Sequence, residues 1–425
     1  MHIGEQTKRQ LPWLWHGFFL AVTLSMMELN TILPGLISEL TDNRVIFGAM
    51  YSVLLGAPLL FNLPMSRLMR RFKGRRIFLL LGIYLRTLAF SGMAVAVFLL
   101  ADRFKSATLV FLFLLLFLFS VGGGLAGTAY SDLVGGTFTA PERGRLFATR
   151  QFVMGIGALL GGLLVARLLK VESFNMWERY ALFFTIGAGG LFLGAIGFWA
   201  VREIRELQIP DVLENPDVRD KPAIPDKPAI TDRPGMFREA WNTLREDPRY
   251  ARFILVENIT SFSLMILPFY LVYAKQQFSN FEAYFGTYVL LQIIGGLVSN
   301  FFWGWVFSKA GNRPVIRICI TFGAMMPLLA MLAAAVGPGW YAVVFFLVGV
   351  VTSGRNIGFE PYLLEIAPDE KRTLYIGLRG TLNLFDVLLP LVGGVLIQVA
   401  GFTTAFVTVS AMMLFSLFLF RNKSA

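Results

Sequence analysis

The sequence predicts an all-α polytopic membrane protein, with twelve transmembrane helices in two pseudo-symmetric halves of six. Three observations predict it. Of 425 residues, 56% are hydrophobic and only 15% charged, whereas a soluble domain carries roughly 25% charged residues. The apolar residues fall in runs long enough to cross a hydrocarbon core, which takes about 20 residues of helix. The basic residues, which give a net charge of +11, collect in alternate loops between those runs.

The spans read in order as 12–36, 45–65, 77–100, 107–132, 147–169 and 179–200. After a polar stretch come 250–273, 284–307, 314–336, 340–364, 374–397 and 401–420. The first lacks a small-residue cleavage site before Pro34 and Glu39 and reads as an uncleaved span. Basic residues mark the cytoplasmic side of a span. One side holds Lys8, Arg9, Arg67, Arg70, Arg71, Lys73, Arg75, Arg76, Arg143, Arg145, the 201–249 segment, Lys309, Arg313, Lys371, Arg372, Arg421 and Lys423. The other holds Arg44, Arg103, Lys105, Lys170, Arg179 and Lys275, and its loops at 337–339 and 398–400 hold no basic residue. This alternation places both termini in the cytoplasm of a plasma membrane, expected to be the bacterial cytoplasmic membrane. It accounts for the positive charge without nucleic acid.

Residues 1–200 read as one six-helix half, 201–249 as a cytoplasmic linker and 250–425 as the second half. In the linker Asp220-Lys221-Pro222, Asp226-Lys227-Pro228 and Asp232-Arg233-Pro234 recur every six residues, and proline at that density favours extended chain. Phe237, Trp241 and Leu244 then follow helical spacing among charges. This short amphipathic helix lies in the headgroup layer or packs on the bundle; the pattern leaves both open.

One cysteine (Cys319) and two histidines (His2, His16) leave no intrachain disulfide, metal cage, haem ligation or histidine-based catalysis to expect. No cofactor and no metal are expected. No Gly-x-Ser-x-Gly elbow marks an enzyme, and no phosphate-binding Gly-x-x-x-x-Gly-Lys-Ser/Thr loop points to ATP.

The halves repeat. Val121-Gly122, Gly127, Ala140-Pro141 and Arg145 match Val348-Gly349, Gly354, Ala367-Pro368 and Arg372, each 227 residues later. Ile32-Leu33-Pro34 recurs as Ile266-Leu267-Pro268, and Gly161-Gly162 as Gly393-Gly394. A parallel repeat of six spans is a transporter pattern.

Here the chain resembles the major facilitator superfamily. That family carries Gly-x-x-x-Asp-Arg-x-Gly-Arg-Arg between spans 2 and 3. The corresponding run is Ser66-Arg67-Leu68-Met69-Arg70-Arg71-Phe72-Lys73-Gly74-Arg75-Arg76, with Ser66 for the first glycine, Arg70 for the acid and one residue inserted. The second half has Gly304 through Lys309, Gly311 and Arg313 at the family spacing, with Ser308 for the acid. The helix-5 motif of proton-exchanging exporters, Gly-Pro-x-x-Gly-Gly, is partly met. Gly157, Gly161 and Gly162 lack the proline, while Pro390, Gly393 and Gly394 keep it. Plain glycine packing between helices is the competing reading.

The resemblance implies that spans 1, 4, 7 and 10 line a central cavity. Ionisable groups there are candidates for function, since charge in a membrane is costly. Glu28 and Asn30, Glu257 and Asn258, Arg355 and Asn356, and Asp386 are expected to bind substrate or protons. Arg86 joins them or serves structure. Arg150 and Arg379, nearer the span ends, are weaker candidates. Asp386 is expected to pair with Arg355. Burial favours the neutral form of a carboxyl group, so Glu28, then Glu257, is the expected proton carrier. Arg70, with Arg71 a topology signal beside it, is expected to pair with Asp132 in place of the family's acid.

The function expected is secondary transport by alternating access: proton-coupled export of a small lipophilic or amphipathic compound. The alternatives are uptake of an anionic metabolite held by Arg86 or Arg355, and a non-transporting sensor. The expected partners are a small-molecule substrate, protons and the lipid bilayer, with the protein a monomer.

Overall fold

The computed structural model describes residues 2–71, 74–199, 236–368 and 371–421. The linker repeats at 220–234 and the side chains of Arg70 and Arg71 lie outside the described residues. Among those described the chain is helical throughout. Helices α1 (His2–Met26), α2 (Ile32–Leu40), α3 (Arg44–Arg71), α4 (Arg75–Leu100), α5 (Lys105–Thr137), α6 (Ala140–Leu168) and α7 (Met176–Trp199) build the first half. A short α8 (Met236–Glu246) precedes α9 (Pro248–Ser261), α10 (Phe269–Gln277), α11 (Phe281–Ala310), α12 (Asn312–Val336), α13 (Pro338–Ile366), α14 (Arg372–Leu382) and α15 (Leu389–Arg421). Among the described residues nine helical segments are long and apolar enough to cross a membrane, and one of them, Leu374–Phe420, is 47 residues long. That length suffices for two crossings at about 1.5 Å per residue. The paired helices α1–α2 and the partly described α3 supply the other two.

Three of the expected spans are broken, and proline explains each break. Span 1 unwinds at 27–31, span 7 at 262–268 and span 11 at 383–388. Pro34, Pro268 and Pro390 follow closely. A proline has no N–H for the carbonyl four residues back, and its ring crowds that carbonyl, which belongs to Asn30, Leu264 and Asp386 respectively. Unwinding also frees backbone N–H groups, which need partners inside a membrane. The Glu28 carboxylate accepts from one of them, Asn30 N, as described below. The expected loop at 398–400 is a sharp break: two helices meet at Gly401, where φ/ψ is non-helical and the φ of +80° suits glycine.

The same packing pattern recurs in both halves. Helix α4 packs on α5 as α12 packs on α13, and α3 on α5 as α11 on α13. Two symmetry-related seams join the halves, α3 against α15 and α6 against α11. The repeated Gly-Gly pairs build them. A Cβ on Gly161 would sit 2.8 Å from Ser25 in α1, and one on Gly393 would strike the carbonyl of Met265 in the broken span 7. The second glycine of each pair turns to the other half. Gly162 faces Ile293 of α11, and Gly394 faces the Arg44 carbonyl of α3. Gly157 packs on the Phe18 carbonyl. These glycines bring helices into contact. Gly304 differs, since a Cβ there would meet open space.

The two loop motifs share one geometric need. Gly74 (φ +119°) and Gly311 (φ +77°) each reverse the chain between consecutive spans, where a side chain would be strained. Beside Gly74, Asp132 reaches Arg75 at 3.6 Å, both half-exposed. The acid at the end of α5 therefore pairs with Arg75, the first residue of the next helix; the expected pairing with Arg70 falls on a side chain outside the described residues. The second half repeats the link as Asn312 to Glu365, 2.8 Å. Arg313 stacks on Tyr362 at 5.9 Å, while Lys309 and Arg76 lie at the same end of the bundle. Helix α8 packs on α9 through buried Thr243 and half-buried Leu244. Trp241 points outward under Arg245, so the helix is docked by one part of its apolar stripe only. Asp247 caps α9, accepting from Arg249 N and Tyr250 N.

Candidate functional site

Polar groups gather where the broken spans meet. In the first half the centre is Glu28. One carboxylate oxygen accepts from Asn30 N (2.7 Å) and Thr31 Oγ1 (2.8 Å), the other from Asn30 Nδ2 (3.4 Å). The side chain thus closes the unwound turn that Pro34 enforces. Across the interface Gln292 of α11 donates to Glu28 Oε1. Tyr51 of α3 lies within electrostatic reach of the same carboxylate, with its hydroxyl buried and unpartnered.

In the second half the polar groups pair off. Glu257 is 3% exposed and accepts a forked contact from Arg379, at 3.0 Å from Nε and 2.6 Å from Nη2. Asn258 Nδ2 donates to Asn383 Oδ1 at 2.9 Å. Arg355 and Asp386 do not form the expected direct pair. The hydroxyl of Ser261 stands between them, 3.1 Å from Arg355 Nη2 and 2.7 Å from Asp386 Oδ2. Arg355 also lies 5.3 Å from the Phe359 ring centre. Asn356 and Glu360 are exposed on the same helix. The break at 383–388 puts Asn383 and Asp386 beside α9, so two interruptions meet through Asn258 and Ser261, with Asp386 Oδ1 and Arg355 Nη1 buried and unpartnered.

Arg86 stands apart from these clusters. It packs over Phe119 at 4.4 Å, and its Nε is buried without a partner.

The far end of the bundle, opposite the basic loops, closes the space between halves. Lys275 of α10 pairs with Glu39 of α2 and lies 3.1 Å from Ser38 Oγ. Gln398 Oε1 accepts from Arg44 N at 3.0 Å. Phe285 crowds Gly35, at 2.8 Å from where its Cβ would stand.

Sequence reasoning missed Gln292, Ser261 and Asn383 because it sought charge. A neutral polar residue within an apolar run, as in Leu291-Gln292-Ile293, was the available signal. Among the described residues no cluster of histidine, cysteine, aspartate or glutamate could hold a metal.

Broken helices that meet between two repeated halves, with polar side chains at the breaks, define the transporter class of membrane protein. The chain belongs to the Major Facilitator Superfamily, whose family model matches residues 14–383 and again 253–425. Its fold is similar to that of the nucleoside transporter NupG, at 16% identity and TM-score 0.66, covering 98% of this chain and 99% of that one. It is also similar to a bacterial homologue of the iron transporter ferroportin in an inward-facing state, at 14% identity and TM-score 0.65, with 99% and 98% covered. A D-xylose–proton symporter matches at 15% and 0.63, with 99% and 97% covered. No curated protein sequence matches the chain.

Proposed function

We propose that the protein is a proton-coupled secondary transporter that exports a small amphipathic compound by alternating access, with Glu28 as the coupling group. The observation that carries this reading is the Glu28–Gln292 contact. A carboxylate that holds open a broken helix also reaches across to the other half. As an anion it accepts from four donors. Protonated, it keeps less acceptor capacity and gains a donor. Its hold on both the unwound turn and Gln292 then weakens, and the halves are free to part at the far end.

The far-end contacts of Lys275, Arg44 and Phe285 support a state closed on that side. Exposure of Gly127, Ser131, Asn356 and Glu360 on α5 and α13 supports access from the basic end. Basic loops favour the cytoplasm, so this state is open to the cytoplasm and ready to load cargo for export. The 201–249 segment tethers the halves on that side. Sparse polar groups beside Met27, Phe359 and Phe385 favour a cargo with apolar surface. In this scheme the Glu257–Arg379 pair fixes the lower part of span 7, and Ser261, Arg355 and Asp386 line the second-half wall.

The test is electrical. Purified protein in liposomes on a solid support is exposed to a panel of amphipathic compounds across a pH gradient. Wild type gives compound-induced proton currents. Glu28→Gln, which mimics the protonated form, binds the same compounds but gives no current. A variant current equal to wild type would remove Glu28 from the mechanism.

A further inference from the structure

The first half encloses two arginines with no acid to match them. Arg86 of α4 and Arg150 of α6 lie eleven and ten residues from the starts of their helices, Arg75 and Ala140. For Arg86 that is about 15 Å at 1.5 Å per residue, near mid-bilayer; the first turns of α6 hold Glu142, Arg143 and Arg145, so Arg150 lies nearer the basic end. Among the described residues no carboxylate lies within 4 Å of either guanidinium. Charge this deep is normally paired, and an unpaired one is costly. Burial of Nε on both, without a partner, adds to that cost.

The surroundings are arranged to carry these side chains inward. Arg86 lies across the glycines of α5. A Cβ on Gly122 would stand 3.1 Å from its Cγ, and one on Gly123 3.9 Å from its Nε. Arg150 lies against Gly17 of α1, where a Cβ would be 3.0 Å from its Cγ. Larger residues on α1 or α5 would obstruct both. Each guanidinium has an aromatic ring at its face, Phe119 at 4.4 Å and Tyr130 at 4.9 Å. This leaves the N–H edges to bind. His16 of α1 is within electrostatic reach of both arginines. The Tyr130 hydroxyl and His16 Nδ1 are buried and unpartnered. Donors backed by rings, with no carboxylate paired to them among the described residues, are complementary to an anion.

We propose that Arg86 and Arg150, with Tyr130 beside them, bind a carboxylate or phosphate group on an aryl-bearing amphipathic substrate. The proposal rests on the transporter reading and names the cargo class of that cavity. The planar guanidinium presents parallel donors that match the two oxygens of a carboxylate or phosphate. Phe119 and Tyr130 supply apolar surface for the rest of the molecule. The mid-bilayer depth of Arg86 favours a solute from the cavity over a lipid headgroup.

The experiment is equilibrium binding to the whole protein in nanodiscs of neutral phosphatidylcholine, read by thermal unfolding. Benzoate and phenyl phosphate are the probes and benzamide the neutral control. A ligand that binds only the folded state raises the midpoint with concentration. At least one anion should stabilise wild type where benzamide does not. Arg86→Gln and Arg150→Gln should each raise the half-saturating concentration tenfold or more. Arg86→Lys and Arg150→Lys, which keep charge but lose the fork, should fall between. Arg103→Gln, on an exposed residue, should bind as wild type. If neither anion exceeds benzamide, or if both glutamine variants bind as wild type, the proposal fails. Loss of the benzoate effect in phosphatidylglycerol discs would assign the site to a lipid headgroup and overturn the substrate assignment. Binding is read without transport, so failure here leaves the Glu28 currents to judge alternating access separately.

Discussion

The two halves share a scaffold but treat buried charge in opposite ways. In the second half Glu257 meets Arg379, and Ser261 links Arg355 to Asp386. Glu257 and Arg379 satisfy each other, while Arg355 and Asp386 meet only through Ser261 and leave Arg355 Nη1 and Asp386 Oδ1 buried without partners. In the first half Glu28 is held by neutral donors only, while Arg86 and Arg150 have rings and no acid. A duplicated six-helix unit began with the same slots in both. Under the proposed function, the Glu257–Arg379 pair of the second half serves structure, while Glu28 and the two arginines of the first half meet the proton and the cargo.

The largest expected effect follows from Glu28. Glu28→Gln should reduce proton-coupled current to the level of protein-free liposomes, whereas Asp386→Asn should leave a measurable current. Equal losses would show that the halves do not differ in role. Next is the forked pair. Glu257→Ala leaves Arg379 half-buried without its acid and should destabilise the protein by about 3 kcal/mol, measured by thermal unfolding in detergent. A cost near zero would mean that the pair is solvated.

The far-end contact is weaker. Lys275 and Glu39 are both partly exposed, so Lys275→Ala should cost about 1 kcal/mol and shift the population toward a far-end-open state about fivefold. Labelling of a cysteine at Leu40, buried at the far end, would report it, since Cys319 is buried and gives little background. The smallest effect should come from Arg86→Gln. Removing an arginine without an acid should leave the empty protein within about 1 kcal/mol of wild type. The contrast with Glu257→Ala, measured in one assay, is the sharpest check on the comparison between halves.

Much of this was legible in the sequence. The spans, the basic loops and the repeat followed from apolar length and arginine spacing. Ile-Leu-Pro at 32–34 and 266–268 even marked the two equivalent breaks, although the segments read as continuous helices because hydropathy does not register a proline. Partners were less legible. Asp386 and Arg355 share a depth along neighbouring helices, but a rotation of either decides whether they touch. A serine at the very edge of the break in span 7 stands between them instead. Asp132 has several arginines within reach in sequence, and the tight turn at Gly74 brings Arg75 to it. Arg150 read as a weak candidate by depth alone, because nothing in one sequence shows that an acid is missing from its neighbourhood.

The central claim is that the halves swing about the Glu28–Gln292 contact, so that one end opens as the other closes. Paired spin labels measure this directly. In a Cys319→Ala background, one pair is placed at Gly144 and Ser308 on the basic end and another at Asp102 and Ser279 on the far end. In liposomes, lowering the pH or introducing Glu28→Gln should lengthen the far-end distance and shorten the basic-end distance together. Distances that stay fixed, or that lengthen at both ends at once, would contradict the account.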